Sequence, residues 1–135
     1  MSAPPQPPSV LRVLVYSHDP DTRSGVIGAL GRHPADDLPE LSYLEVATGA
    51  MVFTQLDAGN VDVAILDGEA SGQGGLGIAK QMRDEYDHPP PTLVLLGRAD
   101  DRWLAEWSRA DATVTLPLDP ITLQRVFTEM MRAAA

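Results

Sequence analysis

The ten residues 61–70, VDVAILDGEA, decide the fold. Five of the first six are uncharged, and the carboxylate of Asp67 follows them directly. A short apolar run bounded by polar and turn residues is typical of a strand that is buried on both faces of a parallel sheet. We therefore predict a strand over 61–66, with the carboxylate of Asp67 placed where that strand ends.

Similar apolar runs recur along the chain, and helical patterns separate them. The apolar runs predict five strands, over 11–16, 41–47, 61–66, 92–96 and 112–116. Apolar side chains at helical spacing predict five helices, over 20–32, 49–59, 75–86, 100–109 and 120–132. At the first helix, Asp19 suits the N-cap and Pro20 suits the first turn. Strands that alternate with helices in this way predict an α/β fold, a doubly wound parallel sheet with helices on both faces.

The helical patterns also predict which side chains face the core. The inward residues of the first three helices are predicted to be Val26, Ile27 and Leu30, then Val52, Phe53 and Leu56, then Leu76, Ala79 and Met82.

Composition limits the classes of function. The chain has 135 residues, of which 44% are hydrophobic, and this suits one globular domain. A net charge of −9 argues against nucleic acid as a partner, and Lys80, the only lysine, argues against polybasic attachment to lipid. The absence of cysteine excludes disulfides, thiolate catalysis and cysteine-based metal sites. No apolar run approaches the roughly 18 residues of a membrane span, so we expect a cytoplasmic protein with no direct membrane insertion.

The two ends of the chain differ in character from its middle. Residues 1–9 include four prolines, which predict a flexible or polyproline-like tail. Residues 10–135 form the single predicted domain. The chain stops directly after the last predicted helix, so we expect no output domain.

The carboxyl ends of the strands are where function is expected. In open parallel sheets the ligand crevice lies beyond those ends, at the point where the strand order reverses. The residues found there are Ser17, His18 and Asp19 after the first strand, Asp67 after the third, Gly97 and Arg98 after the fourth, and Leu116 and Pro117 after the fifth.

Three stretches resemble the receiver domain of two-component response regulators. They are LVYSHDPDTRSGV (14–26), VDVAILDGEASGQGGLGIAKQMR (61–83) and RADATVTLPLDPITL (109–123). The resemblance covers 11–132 and implies the flavodoxin-like order of five strands, 2-1-3-4-5. It also implies that Asp67 stands at the phosphoacceptor position.

The resemblance further implies that the metal site of the family is lost. In a typical receiver, an acidic pair after the first strand holds Mg²⁺ together with the acceptor aspartate. Ser17 and His18 stand at that pair in this chain, and Glu69 stands two residues after the acceptor. We therefore expect no magnesium site and no cofactor.

The groups that hold the phosphoryl group in the family are also replaced. Gly97 stands where a serine or threonine is usual, Thr113 stands at the aromatic switch position, and Leu116 stands at the lysine. Pro117 is retained, and a cis peptide bond typically precedes it in the family. Phosphoryl transfer to a carboxylate needs cations to offset the charge on the equatorial oxygens, so the resemblance implies a degenerate receiver that is not phosphorylated.

A buried carboxylate without its lysine needs another partner. An unpaired charge in that place is costly, so Asp67 should find a cation or raise its pKa. His18 stands at a former ligand position, and we predict that it contacts Asp67 directly or through water. Arg98, after the fourth strand, is the alternative.

Two other features leave alternatives open. The stretch GQGGLG (72–77) is either a flexible loop or a phosphate-binding turn at a helix N-terminus, although it lacks the Lys-Ser/Thr of a P-loop. Trp103 and Trp107 lie four residues apart on one helix, where they either pack on the core or form a partner surface. The residues predicted to bind a partner are Trp103, Trp107, Arg102, Arg109 and Arg125.

The function expected from these patterns is regulatory binding, not catalysis. We predict a stand-alone receiver-like module that binds a protein without phosphorylation. One alternative is a single-domain response regulator phosphorylated on Asp67, and another is a small-ligand binder or enzyme on a flavodoxin-like scaffold. The sequence also resembles orphan receiver-only proteins of actinobacteria, and that resemblance implies docking on the respiratory NADH:quinone oxidoreductase, complex I, at the membrane periphery.

Overall fold

The computed structural model describes residues 10–69, 74–97 and 102–134 of the chain. Within these ranges the strands are β1 Val10–Tyr16, β2 Glu40–Val46, β3 Val63–Asp67, β4 Thr92–Leu96 and β5 Ala112–Thr115. The helices are α1 Pro20–Leu30, α2 Gly49–Asp57, α3 Gly75–Glu85, α4 Arg102–Ser108 and α5 Pro120–Ala134. The predicted tail, residues 1–9, lies outside the described residues.

The strands form one parallel sheet in the order β2-β1-β3-β4-β5. This confirms the flavodoxin-like fold that was expected from the sequence. The register pairs Tyr16 of β1 with Leu66 of β3, and Asp67 with Leu95 of β4. Strand β1 lies between β2 and β3, so the order reverses next to the end of β3.

The predicted strand over 61–66 is shifted by local hydrogen bonding. In the structure, β3 runs from Val63 to Asp67, so Asp67 is the last residue of the strand. The carboxylate of Asp62 accepts hydrogen bonds from the backbone N–H and the guanidinium of Arg12, at 2.8 and 3.0 Å. The backbone N–H of Arg12 therefore donates to a side chain instead of to a backbone carbonyl of the neighbouring strand. Strand β3 begins at the next residue, Val63.

Two hydrophobic layers enclose the sheet. Helices α1 and α5 cover one face, where Val26, Leu30 and Phe127 are buried. Helices α2 and α3 cover the other, where Val52, Ala79 and Met82 are buried. Of the other predicted inward residues, Ile27, Phe53, Leu56 and Leu76 are half-buried and pack against these layers. None of the helices in the described ranges is long and apolar enough to cross a membrane.

Helix α1 starts as its sequence predicts. Asp19 is extended, and its carboxylate accepts a hydrogen bond from the backbone N–H of Asp21 at 2.9 Å. Pro20 occupies the first turn. Backbone N–H groups there have no acceptor within the helix, so the missing N–H of proline costs no helical hydrogen bond. This N-cap fixes the turn between β1 and α1, which carries Ser17 and His18.

Candidate functional site: the strand-end pocket at Asp67

The fold brings the ends of β1, β3 and β4 together around Asp67. Its side chain is 4% exposed. Since Tyr16 pairs with Leu66, the next residues along the two strands, Ser17 and Asp67, lie side by side. On the other flank, the N–H of Gly68 donates to the carbonyl of Leu95 at 2.8 Å, which extends the contact of β3 with β4.

Both carboxylate oxygens of Asp67 accept hydrogen bonds. The hydroxyl of Ser17 donates to Oδ2 at 2.7 Å, and the backbone N–H of Glu69 donates to Oδ1 at 2.8 Å. Ser17 is fully buried, and its Oγ also accepts from the N–H of Asp19 at 3.0 Å. These two donors to Asp67 are a hydroxyl and a backbone amide, and neither of them carries a charge.

Arg23 is a cation near this pocket that the sequence reasoning missed. It lies in the first turns of α1, and its Nη1 donates to the backbone carbonyl of Ser17 at 2.6 Å. Its Nε donates to Glu45 at the end of β2, at 3.1 Å. Its position one turn after the N-cap Asp19 was the available signal, because that turn lies at the carboxyl ends of the strands. Arg23 holds the end of β1 in place through its backbone.

Glu69 occupies the space above Gly97. A Cβ atom added to Gly97 would lie 2.8 Å from the Cγ of Glu69 and closer still to its carboxyl group. A serine or threonine at position 97 therefore requires the Glu69 side chain to move. The sequence reasoning treated these two positions separately; their placement at the ends of neighbouring strands was the signal that they meet.

At two other positions in the pocket, close packing leaves no room for a Cβ atom, so glycine is required there. A Cβ atom on Gly68 would lie 2.6 Å from the carbonyl oxygen of Leu95, and one on Gly75 would lie 2.9 Å from the carbonyl of Asp67. The first residue of α3 therefore packs directly on the backbone of Asp67. Of the stretch 72–77, residues 74–77 are described, and there the glycine at 75 serves helix-to-strand packing; residues 72 and 73 lie outside the described ranges.

An apolar wall stands where the family lysine would be. Leu116 is half-buried and packs against the core layer under α1 and α5. The peptide bond from Leu116 to Pro117 is cis, as the resemblance implied. With Leu118, these residues line a cleft of about 320 Å³ that is also lined by Asp21, Thr22 and Gly25. Thr113, at the switch position, is half-buried in β5.

The predicted cation partners of Asp67 have separate outcomes. The side chain of His18 is exposed, and its contact with Asp67 stays a prediction. Arg98 lies outside the described residues. The charge of Asp67 acts on its buried neighbour Tyr16, whose pKa is raised, first by burial and second by that carboxylate.

The residues beside Asp67 offer fewer carboxylates than the magnesium site of the family, and the loss of that site in this chain stays a prediction. Mg²⁺ is usually held by one or two carboxylates together with water. The oxygens of Asp67 already accept hydrogen bonds, and the residue beside it, Ser17, offers a hydroxyl in place of a second carboxylate. Across residues 10–69, 74–97 and 102–134, no three His, Cys, Asp or Glu side chains come together as a set that could hold a metal ion.

The predicted partner residues lie on α4 and α5. Trp103 and Trp107 are 66% and 50% exposed, so the alternative that both rings pack in the core is wrong. Arg109 is exposed and directly follows α4, with a φ of 60°. Arg125 is exposed on α5, 3.6 Å from Glu129. The side chain of Arg102 lies outside the described part of the chain, and binding by any of these residues stays a prediction.

Comparison with known proteins adds sequence and structural relatives. No family model matches the sequence. The chain is 55% identical over 131 residues to an "uncharacterized response regulatory protein" of Mycobacterium tuberculosis, found in strains CDC 1551 / Oshkosh and H37Rv, which covers 97% of this chain and 98% of the relative.

Solved structures share the fold at low sequence identity. The receiver domain of the response regulator NarL from Mycobacterium tuberculosis superposes with a TM-score of 0.75 at 22% identity, covering 93% of this chain and 98% of the other. The chemotaxis response regulator CheY4 of Vibrio cholerae superposes with a TM-score of 0.71 at 20% identity, covering 90% and 98%.

Proposed function

This chain belongs to the response regulator family and has the receiver fold, and from that premise we propose that it binds a protein partner without being phosphorylated. Receiver domains are generally signalling modules that act through binding. What is proposed for this chain is that binding does not depend on a phosphoryl group at Asp67.

The hydrogen bonding of Asp67 is the observation that carries the proposal. A carboxylate that attacks a phosphorus atom does so through an oxygen lone pair, and each hydrogen bond that the oxygen accepts lowers its nucleophilicity. Here Oδ2 accepts from Ser17 at 2.7 Å and Oδ1 accepts from Glu69 N–H at 2.8 Å, and the side chain is 4% exposed. Release of Oδ2 leaves the buried hydroxyl of Ser17 without this acceptor, which costs about 1 to 3 kcal/mol.

The electrostatics of the surrounding positions support the same conclusion. Phosphoryl transfer is helped by cations placed against the equatorial oxygens. Leu116 supplies no charge, and the carboxyl group over Gly97 belongs to Glu69, which would repel a phosphoryl group at Asp67. Both replacements therefore raise the barrier to phosphorylation.

The test is treatment with a small phosphodonor and Mg²⁺ at neutral pH, followed by intact-mass measurement. We expect no stoichiometric gain of one phosphoryl group. The matched control is Asp67→Asn, which removes the acceptor and nearly preserves its shape. A phosphoryl adduct that this substitution abolishes would overturn the proposal.

A second candidate function is that of a single-domain regulator phosphorylated on Asp67. The retained aspartate at the end of β3 favours it, and the family relationship is equally compatible with it. The mass measurement separates the two candidates, since only this one predicts an adduct at Asp67.

For the partner, we propose respiratory complex I. The support is the resemblance to orphan receiver-only proteins of actinobacteria, together with two exposed tryptophans on α4 that offer a docking surface. Affinity capture from native membranes should recover complex I subunits by immunoblot. The double variant Trp103→Ala, Trp107→Ala should weaken this complex by about 2 kcal/mol or more, and unchanged recovery with a preserved fold would reject α4 as the docking surface.

A further inference from the structure

A cleft opens between the start of α1 and the segment that follows β5. Its volume is about 320 Å³, and its lining residues are Asp21, Thr22, Gly25, Leu116, Pro117 and Leu118. This volume lies at the lower end of the range of ligand pockets, about 300 to 1,000 Å³. The cleft therefore suits a small molecule, and we call it the Leu116 cleft.

The residues after β5 supply the apolar surface of the Leu116 cleft. Leu116 and Leu118 are half-buried and pack against the core layer under α1 and α5, which holds them in place. The resemblance to receivers implies a lysine at position 116, and a lysine would bring a positive charge to this cleft. Leucine supplies apolar area instead, against which an alkyl or aromatic group can be buried.

Glycine at position 25 keeps the Leu116 cleft open. Gly25 lies in the middle of α1, where glycine is among the least favourable residues for a helix. A Cβ atom added there would lie 3.7 Å from Cδ2 of Leu118, which is an ordinary van der Waals contact, so packing does not require glycine at this position. A larger side chain would instead extend into the cleft. A residue that weakens its helix without a packing reason indicates a functional constraint, here an open cleft.

Asp21 gives the Leu116 cleft its charge. It lies one helical turn before Gly25, on the same face of α1. Arg23 lies two positions further along α1 and is engaged elsewhere, since its guanidinium donates to the carbonyl of Ser17 and to Glu45. None of the described residues that line the cleft is basic. The electrostatics of the cleft therefore favour a cation and disfavour an anion.

We propose that the Leu116 cleft binds a small organic ammonium ion. The ammonium group lies against the carboxylate of Asp21, and the alkyl or aromatic body of the ligand lies against Leu116 and Leu118. Leucine at position 116 allows this, because a lysine there would repel the ammonium group. The proposal requires neither an unphosphorylated Asp67 nor complex I, so it stands apart from the proposed function.

An NMR titration of the full chain with three probes of similar shape tests the proposal. The probes are isopentylamine, isopentyl alcohol and isovalerate, which are positive, uncharged and negative at neutral pH. We expect the amine to shift the backbone amide signals of Asp21, Thr22, Gly25 and Leu118 saturably. The alcohol should bind about two- to fivefold more weakly, which is the range of an exposed ion pair, and isovalerate should not saturate these signals. Equal affinities for the amine and the alcohol, or shifts that do not saturate at these four residues, overturn the proposal.

Two variants show whether binding occurs in the Leu116 cleft. Gly25→Leu fills the cleft, so the affinity for isopentylamine should fall by about tenfold or more. The matched control is Gly77→Leu, the same change at an exposed position of α3, on the opposite face of the sheet, where an added Cβ meets nothing within 4 Å. This control should bind like the unaltered chain.

Asp21→Asn removes the charge and leaves the shape of the cleft nearly unchanged. It should weaken the binding of isopentylamine by about two- to fivefold and abolish the preference for the amine over the alcohol. Unchanged affinity in Gly25→Leu, or a preference for the amine that persists in Asp21→Asn, overturns the proposal. Far-UV circular dichroism of each variant controls for the fold.

Discussion

At the scale of single residues, the contact between Ser17 and Asp67 can be tested by removing one hydroxyl. The substitution Ser17→Ala leaves a buried carboxylate oxygen without its donor, and Asp19 N–H without its acceptor. Loss of a hydrogen bond to a charged group costs about 1.5 to 3 kcal/mol, and we expect a loss of unfolding free energy in that range by urea denaturation. Thr115→Ala, at an exposed position, is the control. A loss below about 0.5 kcal/mol, the usual range of surface substitutions, would show that Ser17 is dispensable.

The contact between Ser17 and Asp67 shows how much of the site could be predicted from the sequence at the scale of single residues. The sequence placed Asp67 at the end of a buried strand next to Ser17 and His18, and the fold confirms that neighbourhood. The sequence led us to expect a cation at the carboxylate of Asp67, whereas the observed donors to that carboxylate include the hydroxyl of Ser17. Successive side chains of a strand alternate between faces, and the register of Tyr16 with Leu66 decides which of the two residues after β1 faces Asp67. Register is a tertiary property, so the sequence left this choice open.

The space shared by Glu69 and Gly97 predicts a coupled pair of substitutions. Gly97→Ala alone should destabilise the fold, because the new Cβ meets the Glu69 side chain. In a Glu69→Ala background that space is free, and Gly97→Ala should cost less. We expect a coupling energy of about 0.5 to 3 kcal/mol in a double-mutant cycle of urea denaturation. Additive effects would mean that Glu69 swings away at no cost.

At the scale of elements, a half-buried tyrosine joins β2 to the end of α1. The hydroxyl of Tyr43 donates to the carbonyl of Gly31 at 2.5 Å, and burial raises the pKa of Tyr43 from its ordinary value of about 10 to about 12. The folded state therefore holds this proton more tightly than the unfolded state. The stability that this contributes is fully present below pH 10 and is lost as the pH rises toward about 12.

Urea denaturation across that alkaline range measures the effect. The unaltered chain should lose stability between about pH 10 and about pH 12. Tyr43→Phe should show a shallower decline, because the share of the loss that comes from Tyr43 is removed. Some decline should remain, because the pKa of Tyr86 is also raised to about 12, first by burial and then by Asp57. An unchanged slope in Tyr43→Phe would remove Tyr43 as a source of the alkaline loss.

Elements were the part of the fold that the sequence predicted best. Alternating apolar runs and amphipathic patterns are local signals, and N-caps such as Asp19 mark helix starts. The differences occur at ends where a side chain competes with the ladder, as Asp62 does before β3. The glycine at 75 was missed for another reason, since its close approach to Asp67 exists only after α3 has packed on β3.

At the scale of the whole molecule, the proposed loss of phosphorylation predicts an absence of response to ligands that mimic it. A ligand that binds only the folded state raises its stability by about 2.7 kcal/mol at a hundredfold excess over the dissociation constant. A receiver with an intact pocket should show such a shift with Mg²⁺ and beryllofluoride, which imitates a phosphoryl group on aspartate. This chain should show none, because Asp67 is engaged, Leu116 supplies no charge and Glu69 covers Gly97.

Thermal unfolding with and without Mg²⁺ and beryllofluoride measures that response. An intact receiver domain is the positive control, and Asp67→Asn in this chain is the matched negative control, since it lacks the carboxylate that beryllofluoride needs. We expect the unaltered chain and Asp67→Asn to behave alike, with no shift in either. A rise in the unfolding temperature that Asp67→Asn abolishes would show a working pocket. The hydrogen bonds of Asp67 to Ser17 and Glu69 would then describe a resting state that the ligand opens, and regulation by phosphorylation would replace constitutive binding.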